Sequence, residues 1–121
     1  MRVLVTGNLG YIGGVLVPLL LERGHQVAGL DSDLFRRCSF GPGGALAPVP
    51  PLLKAVRDVE RGDLEGFEAL VHLAALSNDP LGDFRPEITY AINHLATVRL
   101  AELARSAGVR RFLFSSSCSN Y

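Results

Sequence analysis

The 121 residues carry 12 basic and 12 acidic side chains, a formal net charge of +0, and 48% of them are apolar. Those proportions describe one ordinary soluble domain and argue against the basic footprint of a nucleic-acid binder. No apolar stretch reaches the roughly 18 residues of a membrane span, and Cys38 and Cys118 lack the CxxC or Cys/His spacing of a disulfide framework or metal site. We therefore expect a cytoplasmic protein with reduced thiols, no metal, and no nucleic-acid or membrane partner.

Arg2 to Thr6 is a short run built on Val3, Leu4 and Val5 that stops at Gly7, the pattern of a buried parallel strand. From Ile12, the positions Ile12, Val15, Leu16, Leu19 and Leu20 recur at helical spacing. They predict one apolar stripe on a helix that Gly24 closes, with a local irregularity at Pro18. Gln26 to Leu30 predicts the second strand, ending at Asp31. Between residues 32 and 51, Gly41, Pro42, Gly43, Gly44, Pro48, Pro50 and Pro51 break any helix or central strand, which predicts a long loop, either a lid or a connector. A weak third strand is expected at Leu52 to Val56 and a clearer fourth at Ala69 to Ala74, both central. Pro86 opens the longest helix, with Ile88, Ala91, Ile92 and Leu95 on one face, running to Ala107 before Gly108. Arg111 to Ser115 is the fifth strand. Alternating strands and helices predict an α/β fold: an open, doubly wound parallel sheet covered on both faces.

Gly7, Gly10 and Gly13 lie at three-residue spacing between the first strand and the first helix, where a phosphate-binding turn needs them. Gly7 suits a tight turn, Gly10 lets backbone amides approach a pyrophosphate, and Gly13 lets the helix pack closely, while the helix N-terminus offers N–H groups and partial positive charge. The same glycines can form an empty turn, and Asp31 alone can be a solvated carboxylate. Their combination carries the signal: Asp31 lies 18 residues beyond Gly13 at the end of the second strand, where a carboxylate can accept from both ribose hydroxyls of an adenosine. A carboxylate there repels a 2′-phosphate and favours NAD over NADP, with Arg36 and Arg37 arguing the other way.

Thr6-Gly7-Asn8-Leu9-Gly10-Tyr11-Ile12-Gly13 resembles the TGxxGYIG fingerprint of the extended short-chain dehydrogenases/reductases, and among them the NAD-dependent epimerase/dehydratase family. The resemblance continues in His72-Leu73-Ala74-Ala75, similar to an HxAA segment, in Asn93 and Thr97, similar to an NxxGT helix, and in Phe114 to Tyr121, similar to SSSxxxYG. It implies a Rossmann-type sheet, incomplete at its C-terminal side, in which residues 1–121 are the NAD(P)-binding domain and the substrate domain lies elsewhere. It further implies NAD held by Gly7, Gly10, Tyr11, Ile12 and Gly13 of the turn, by Asp31 and Ser32, by Val56, by Leu73, Ala74 and Ala75, and by Asn93 and Ser115. Ser117 is the catalytic hydroxyl so implied, hydrogen-bonded to the reacting hydroxyl of a nucleotide sugar, and the long helix can contribute to a homodimer. Strand alternation makes His72 a core residue before a base. Asn93, on the long helix beside Ile92, is an amide that bridges backbone groups of neighbouring strands first and adjoins the cofactor second.

Two departures matter. The family's tyrosine, with its lysine four residues on, is missing: Tyr11, Tyr90 and Tyr121 have no such partner, and the only lysine is Lys54. Ala55 stands where the family commonly has an aspartate for the adenine amino group, a loss of about 1 to 3 kcal/mol at a buried site. Asp58 or Asp63 can substitute, unless Asp63 caps a turn at Leu64 to Gly66. Cys118 and Ser119 replace the acid and threonine of dehydratases, which favours an epimerase or simple oxidoreductase. The expected function is the NAD-binding portion of a nucleotide-sugar epimerase or oxidoreductase that works by transient hydride transfer, the 121 residues alone being inactive. The alternatives are a non-catalytic dinucleotide-binding module and an NADP-dependent carbonyl reductase.

Overall fold

A computed structural model describes residues 1–34, 48–77 and 84–117. Five strands, β1 (Arg2–Thr6), β2 (Gln26–Asp31), β3 (Pro51–Leu53), β4 (Ala69–His72) and β5 (Arg111–Phe114), form one sheet in the order β3-β2-β1-β4-β5. Every pairing is parallel, with Val3 opposite both Val27 and Ala69, and His72 opposite both Thr6 and Phe114.

Because side chains alternate along a strand, β1 feeds two cores. Leu4 points to one face, where it is buried with Leu30, Val56, Leu64, Leu70 and Leu100. Val3 and Val5 point to the other, with Val17, Val27 and Ala69. Helix α1 (Tyr11–Glu22) covers the Val3/Val5 face through Val17. On the Leu4 face lie α2 (Pro86–Tyr90), a π-helical stretch (Ala91–Leu95) and α3 (Ala96–Ser106), which contributes Ala96, Leu100 and Ala104. Both long helices stop where a glycine follows: Gly24 and Gly108 take φ of +78° and +82°. The next amides, of His25 and Val109, reach back to the carbonyls of Leu20 and Ala104, the Schellman arrangement.

The fold departs from the sequence reading in four places. The apolar stripe expected on α1 is not its core face: Gly13 and Val17 are buried, whereas Ile12, Val15 and Leu19 are exposed and Leu16 and Leu20 half-buried. Nearly every residue of this helix is apolar, so periodicity alone left the orientation open. The third strand is three residues long and lies at the sheet edge, not centrally; Pro51 cannot donate to a ladder and is tolerated only there. The fourth strand is central but stops at His72, two residues short of the expectation.

The helix read as continuous from Pro86 to Ala107 contains the π-helical stretch, and Leu95, expected on the inner face, is exposed. The inward positions instead repeat every four residues, from half-buried Ile88 and Ile92 to buried Ala96, Leu100 and Ala104. A strict four-residue repeat drifts by about 40° per step around a 3.6-residue helix, and the wider π turn takes that drift back. Most of the long loop, residues 35–47 with Arg36, Arg37 and Cys38, lies outside the described residues, as do Cys118 and Tyr121.

The two-sided core makes a direct contrast. Leu70, fully buried in the central β4, should cost about 2 to 5 kcal/mol when cut to alanine. Leu113, half exposed on the edge strand β5, should cost less than about 1 kcal/mol. Denaturant titration of the two variants checks the difference.

Candidate functional site

The strand order reverses between β1 and β4: the helix after β1 packs on one face of the sheet and the helices after β4 on the other, so a crevice opens at the carboxyl ends of these two strands. The glycine turn forms one wall. Gly7 donates its N–H to the Leu30 carbonyl (2.8 Å) and accepts from Gly10 (3.1 Å), so the turn is tied to β2 before the helix starts. Its φ of +72° favours glycine, and a Cβ at this position would lie 2.8 Å from the Ala74 nitrogen. Gly13 is equally constrained, though against the turn itself: a Cβ there would lie 2.5 Å from the Gly7 oxygen and 2.6 Å from the Asn8 Cα.

Gly10 differs. It is exposed, has extended backbone as the N-cap of α1, and among the described residues a Cβ on it would meet only the Gly7 oxygen, at 3.3 Å. The space before it is open. Among the described residues no side chain caps α1 and its first turn holds no acidic residue, so the partial positive charge of the helix end is directed toward that space. Tyr11 and Ile12 are exposed there, at 92% and 56%.

Asp31 stands across the turn at the end of β2. One carboxylate oxygen accepts from the Leu9 N–H (3.1 Å) and the other from the Asp33 N–H (2.9 Å), which fixes the group beside the glycine turn. Each oxygen retains a lone pair for a further donor. Ser32, next along, is exposed. Beside Asp31 is a recess of about 190 Å³ walled by Asn8, Leu9, Gly29, Leu52 and Leu53. Asn8 lies flat on Gly29, where a Cβ would fall 2.3 Å from its amide carbon. The sequence reading passed over Asn8, and the only signal it offered was that pairing of a side chain with a glycine on another strand.

The opposite wall is the segment after β4. Leu73 donates to the Thr6 carbonyl (3.1 Å) and Ala74 to the Thr6 hydroxyl (3.3 Å), while Ala75 is exposed. Asn93 closes on the same segment, its Oδ1 accepting from the Leu76 N–H and its Nδ2 donating to the Leu76 carbonyl, both at 2.8 Å. The amide does bridge backbone groups, but those of one residue, not of neighbouring strands. Ser115 donates its N–H to the His72 carbonyl (3.1 Å), and Ser115, Ser116 and Ser117 are exposed after β5. Gly7, Gly10, Asp31, Leu73, Ala74, Asn93 and Ser115 are thus arranged along one edge of the sheet.

Two expectations change. Val56 is buried in the core with Leu4 and Leu30, so its side chain is unavailable to a ligand and only its backbone can serve. Asp63 is not an N-cap but the third residue of a short helical turn (Arg61–Leu64), where it accepts from the Glu60 N–H (2.8 Å) in a capping box. It is also engaged by Lys54, whose ammonium donates to both carboxylate oxygens at 3.0 and 2.7 Å. That hydrogen bond raises the Lys54 pKa and holds the Asp63 carboxyl below its ordinary range. Asp63 is therefore committed and does not stand in for the missing acceptor at half-buried Ala55. Among the described residues no cluster of His, Cys, Asp or Glu is arranged to hold a metal, and no helix is long and apolar enough to cross a membrane.

His72 is buried, 1% exposed, with its ring stacked on Phe114 at 5.8 Å. Burial lowers its pKa from an ordinary 6.5 to about 4, so it is neutral at neutral pH. Between those values the unfolded chain binds a proton that the folded chain refuses, and stability falls as the pH drops. The loss should approach about 3 kcal/mol by pH 4 and then level off. Denaturant titration across this window should show the slope in the wild type and a shallower one in His72→Phe, whatever that variant's stability at neutral pH.

Comparison with known proteins agrees with this geometry. The model of the NAD dependent epimerase/dehydratase family matches residues 3–121. A UDP-glucose 4-epimerase of Mycolicibacterium smegmatis is 38% identical over 123 residues, which cover 97% of this chain and 39% of the relative. A 3 beta-hydroxysteroid dehydrogenase/Delta 5-->4-isomerase of Mycobacterium tuberculosis is 32% identical over 98% of this chain and 32% of its own length. Among solved structures, the Thermus thermophilus UDP-glucose 4-epimerase in complex with NAD superposes with a TM-score of 0.79 at 31% identity, over 97% of this chain and 38% of that one. The chain thus spans about two fifths of the length of the first of these relatives. The family model covers nearly every residue, and the chain belongs to the NAD dependent epimerase/dehydratase family.

Proposed function

We propose that these residues are the NAD-binding part of an enzyme that interconverts or oxidises nucleotide sugars by transient hydride transfer. The observation that carries this reading is the Asp31 carboxylate, held by the Leu9 amide at the mouth of the glycine turn. In that position it accepts from the ribose hydroxyls of an adenosine and repels a 2′-phosphate, which favours NAD over NADP. The open space before Gly10 and the uncapped end of α1 suit the pyrophosphate. Leu73, Ala74 and Ala75 offer small or retracted side chains along the opposite wall.

When bound, NAD supplies the acceptor for a hydride from a sugar carbinol carbon and its donor on return. The chain's own part is to bind and orient. Ser117, exposed at the carboxyl end of β5, donates or accepts at the reacting hydroxyl, and Ser115 lines the nicotinamide side. Tyr11 and Tyr90 are followed four positions later by Val15 and His94, not by lysine, so neither is the base that takes the substrate proton. UDP-glucose 4-epimerases among the relatives support a nucleotide-sugar substrate.

Calorimetry with the two dinucleotides tests it. NAD should bind at least about tenfold more tightly than NADP, and equal or reversed affinities would remove the role given to Asp31. Gly10→Val should abolish binding and leave the fold intact, because a Cβ there meets a single backbone oxygen. Ala55→Asp should tighten NAD binding by about tenfold, the worth of one added hydrogen bond to the adenine amino group.

A further inference from the structure

We infer that His72 is a positioning residue: held as the neutral Nε2–H tautomer, it ties the backbone of residues 73–76 against the glycine turn and so sets the width of the crevice. The inference rests on the reading that a dinucleotide occupies this crevice. It follows from counting protons along four consecutive hydrogen bonds.

The Thr97 hydroxyl donates its one proton to the Asn93 carbonyl, at 2.9 Å. The same oxygen is 2.8 Å from His72 Nε2 and can only accept there, so Nε2 carries the hydrogen. Nδ1 of the neutral ring then presents a lone pair, and Thr6 Oγ1, at 2.6 Å, donates to it. With its proton committed, the Thr6 oxygen is free to accept from the Ala74 N–H at 3.3 Å. Donation therefore runs one way, from the Ala74 amide through Thr6, His72 and Thr97 to the backbone carbonyl of Asn93. The side chain of that residue grips Leu76 at both its N–H and its carbonyl, so the two ends of the segment are tied into one network.

A second protonation would reverse the Thr6–His72 link. An Nδ1–H would face the Thr6 oxygen, and one hydroxyl cannot give its proton to a nitrogen that already bears one. The groups that meet the ring are uncharged on each element packed against it: Thr6 from β1, Thr97 from α3, and the rings of Phe112 and Phe114 from β5. The crevice is sensitive to this tie because the Ala74 nitrogen already lies within 2.8 Å of where a Gly7 Cβ would be. A small outward shift of residues 73–76 opens the wall on which the dinucleotide lies.

Nitrogen-15 NMR of the imidazole in the full chain reads the tautomer with no ligand present. At about pH 7, Nδ1 should show a pyridine-type shift and Nε2 a pyrrole-type shift, and the opposite assignment or a doubly protonated ring overturns the inference. Amide hydrogen exchange gives a second ligand-free readout: Thr6→Val should speed exchange at Ala74, and Thr6→Ser should restore it. With NAD, Thr6→Val should weaken binding about tenfold and Thr6→Ser should recover to within about threefold of wild type. A folded Thr6→Val that matches wild type in both exchange and affinity overturns the inference, as does a serine variant as impaired as the valine one. Should Thr6→Val fail to fold, the pair Thr97→Val and Thr97→Ser carries the same comparison. Wild-type protein that binds no NAD would sink the proposed function, while the tautomer and exchange measurements still decide the role of His72.

Discussion

The approach of Gly7 to the backbone of Ala74 is the constraint on which the rest of the site depends. Two parallel neighbours, β1 and β4, end side by side, and their following segments turn apart. At the point of divergence, backbone meets backbone with no room for a side chain. The contact sets where α1 starts, because Gly13 must pass the same turn. It also sets where the segment after β4 lies, because Leu73 and Ala74 hydrogen-bond to Thr6, the residue before Gly7. Every group argued to meet a dinucleotide is placed relative to that pinch.

Polar groups hold the pinch from the inside. Burying His72 with two threonines is costly unless each donor and acceptor is matched, and the four directed bonds match them. Asn93 adds a grip from the π-helical stretch, whose wider turn also keeps Ile92, Ala96, Leu100 and Ala104 facing the core. Packing and site geometry are thus served by the same local irregularity. On the outer side, Asp31 is restrained by backbone amides alone and keeps its capacity to accept. The inner network is closed and neutral, and the outer rim is open and charged. That contrast suits a rigid floor beneath an anionic ligand with hydroxyl groups.

Most of the architecture was legible in the chain, for reasons that can be named. Val3-Leu4-Val5 reads as a strand buried on both faces because both sets of alternating residues are apolar, and both cores use it. Gly24 and Gly108 read as stops because a left-handed residue ends a helix, and both take that conformation. Gly7, Gly10, Gly13 and Asp31 read as one site because their spacing fits a single strand-turn-helix-strand unit. Illegible features were those that depend on what meets what. The direction in which α1 faces could not be read from a helix apolar nearly all round. The commitment of Asp63 to Lys54 joins residues nine apart across a turn, and no propensity announces it.

The sequence by itself determined the order of elements, the parallel α/β class, the glycine turn and the carboxylate facing it, because each rests on local periodicity or short-range spacing. Only the tertiary structure decided which of three glycines borders open space, that Val56 belongs to the core, that the third strand lies at the edge, and that His72 stands between Thr6 and Thr97. The last of these is a fact of contact between residues 66 and 25 positions apart. Local preference limits what a segment can be, but the partner on the other side of a close approach exists only once the chain has folded.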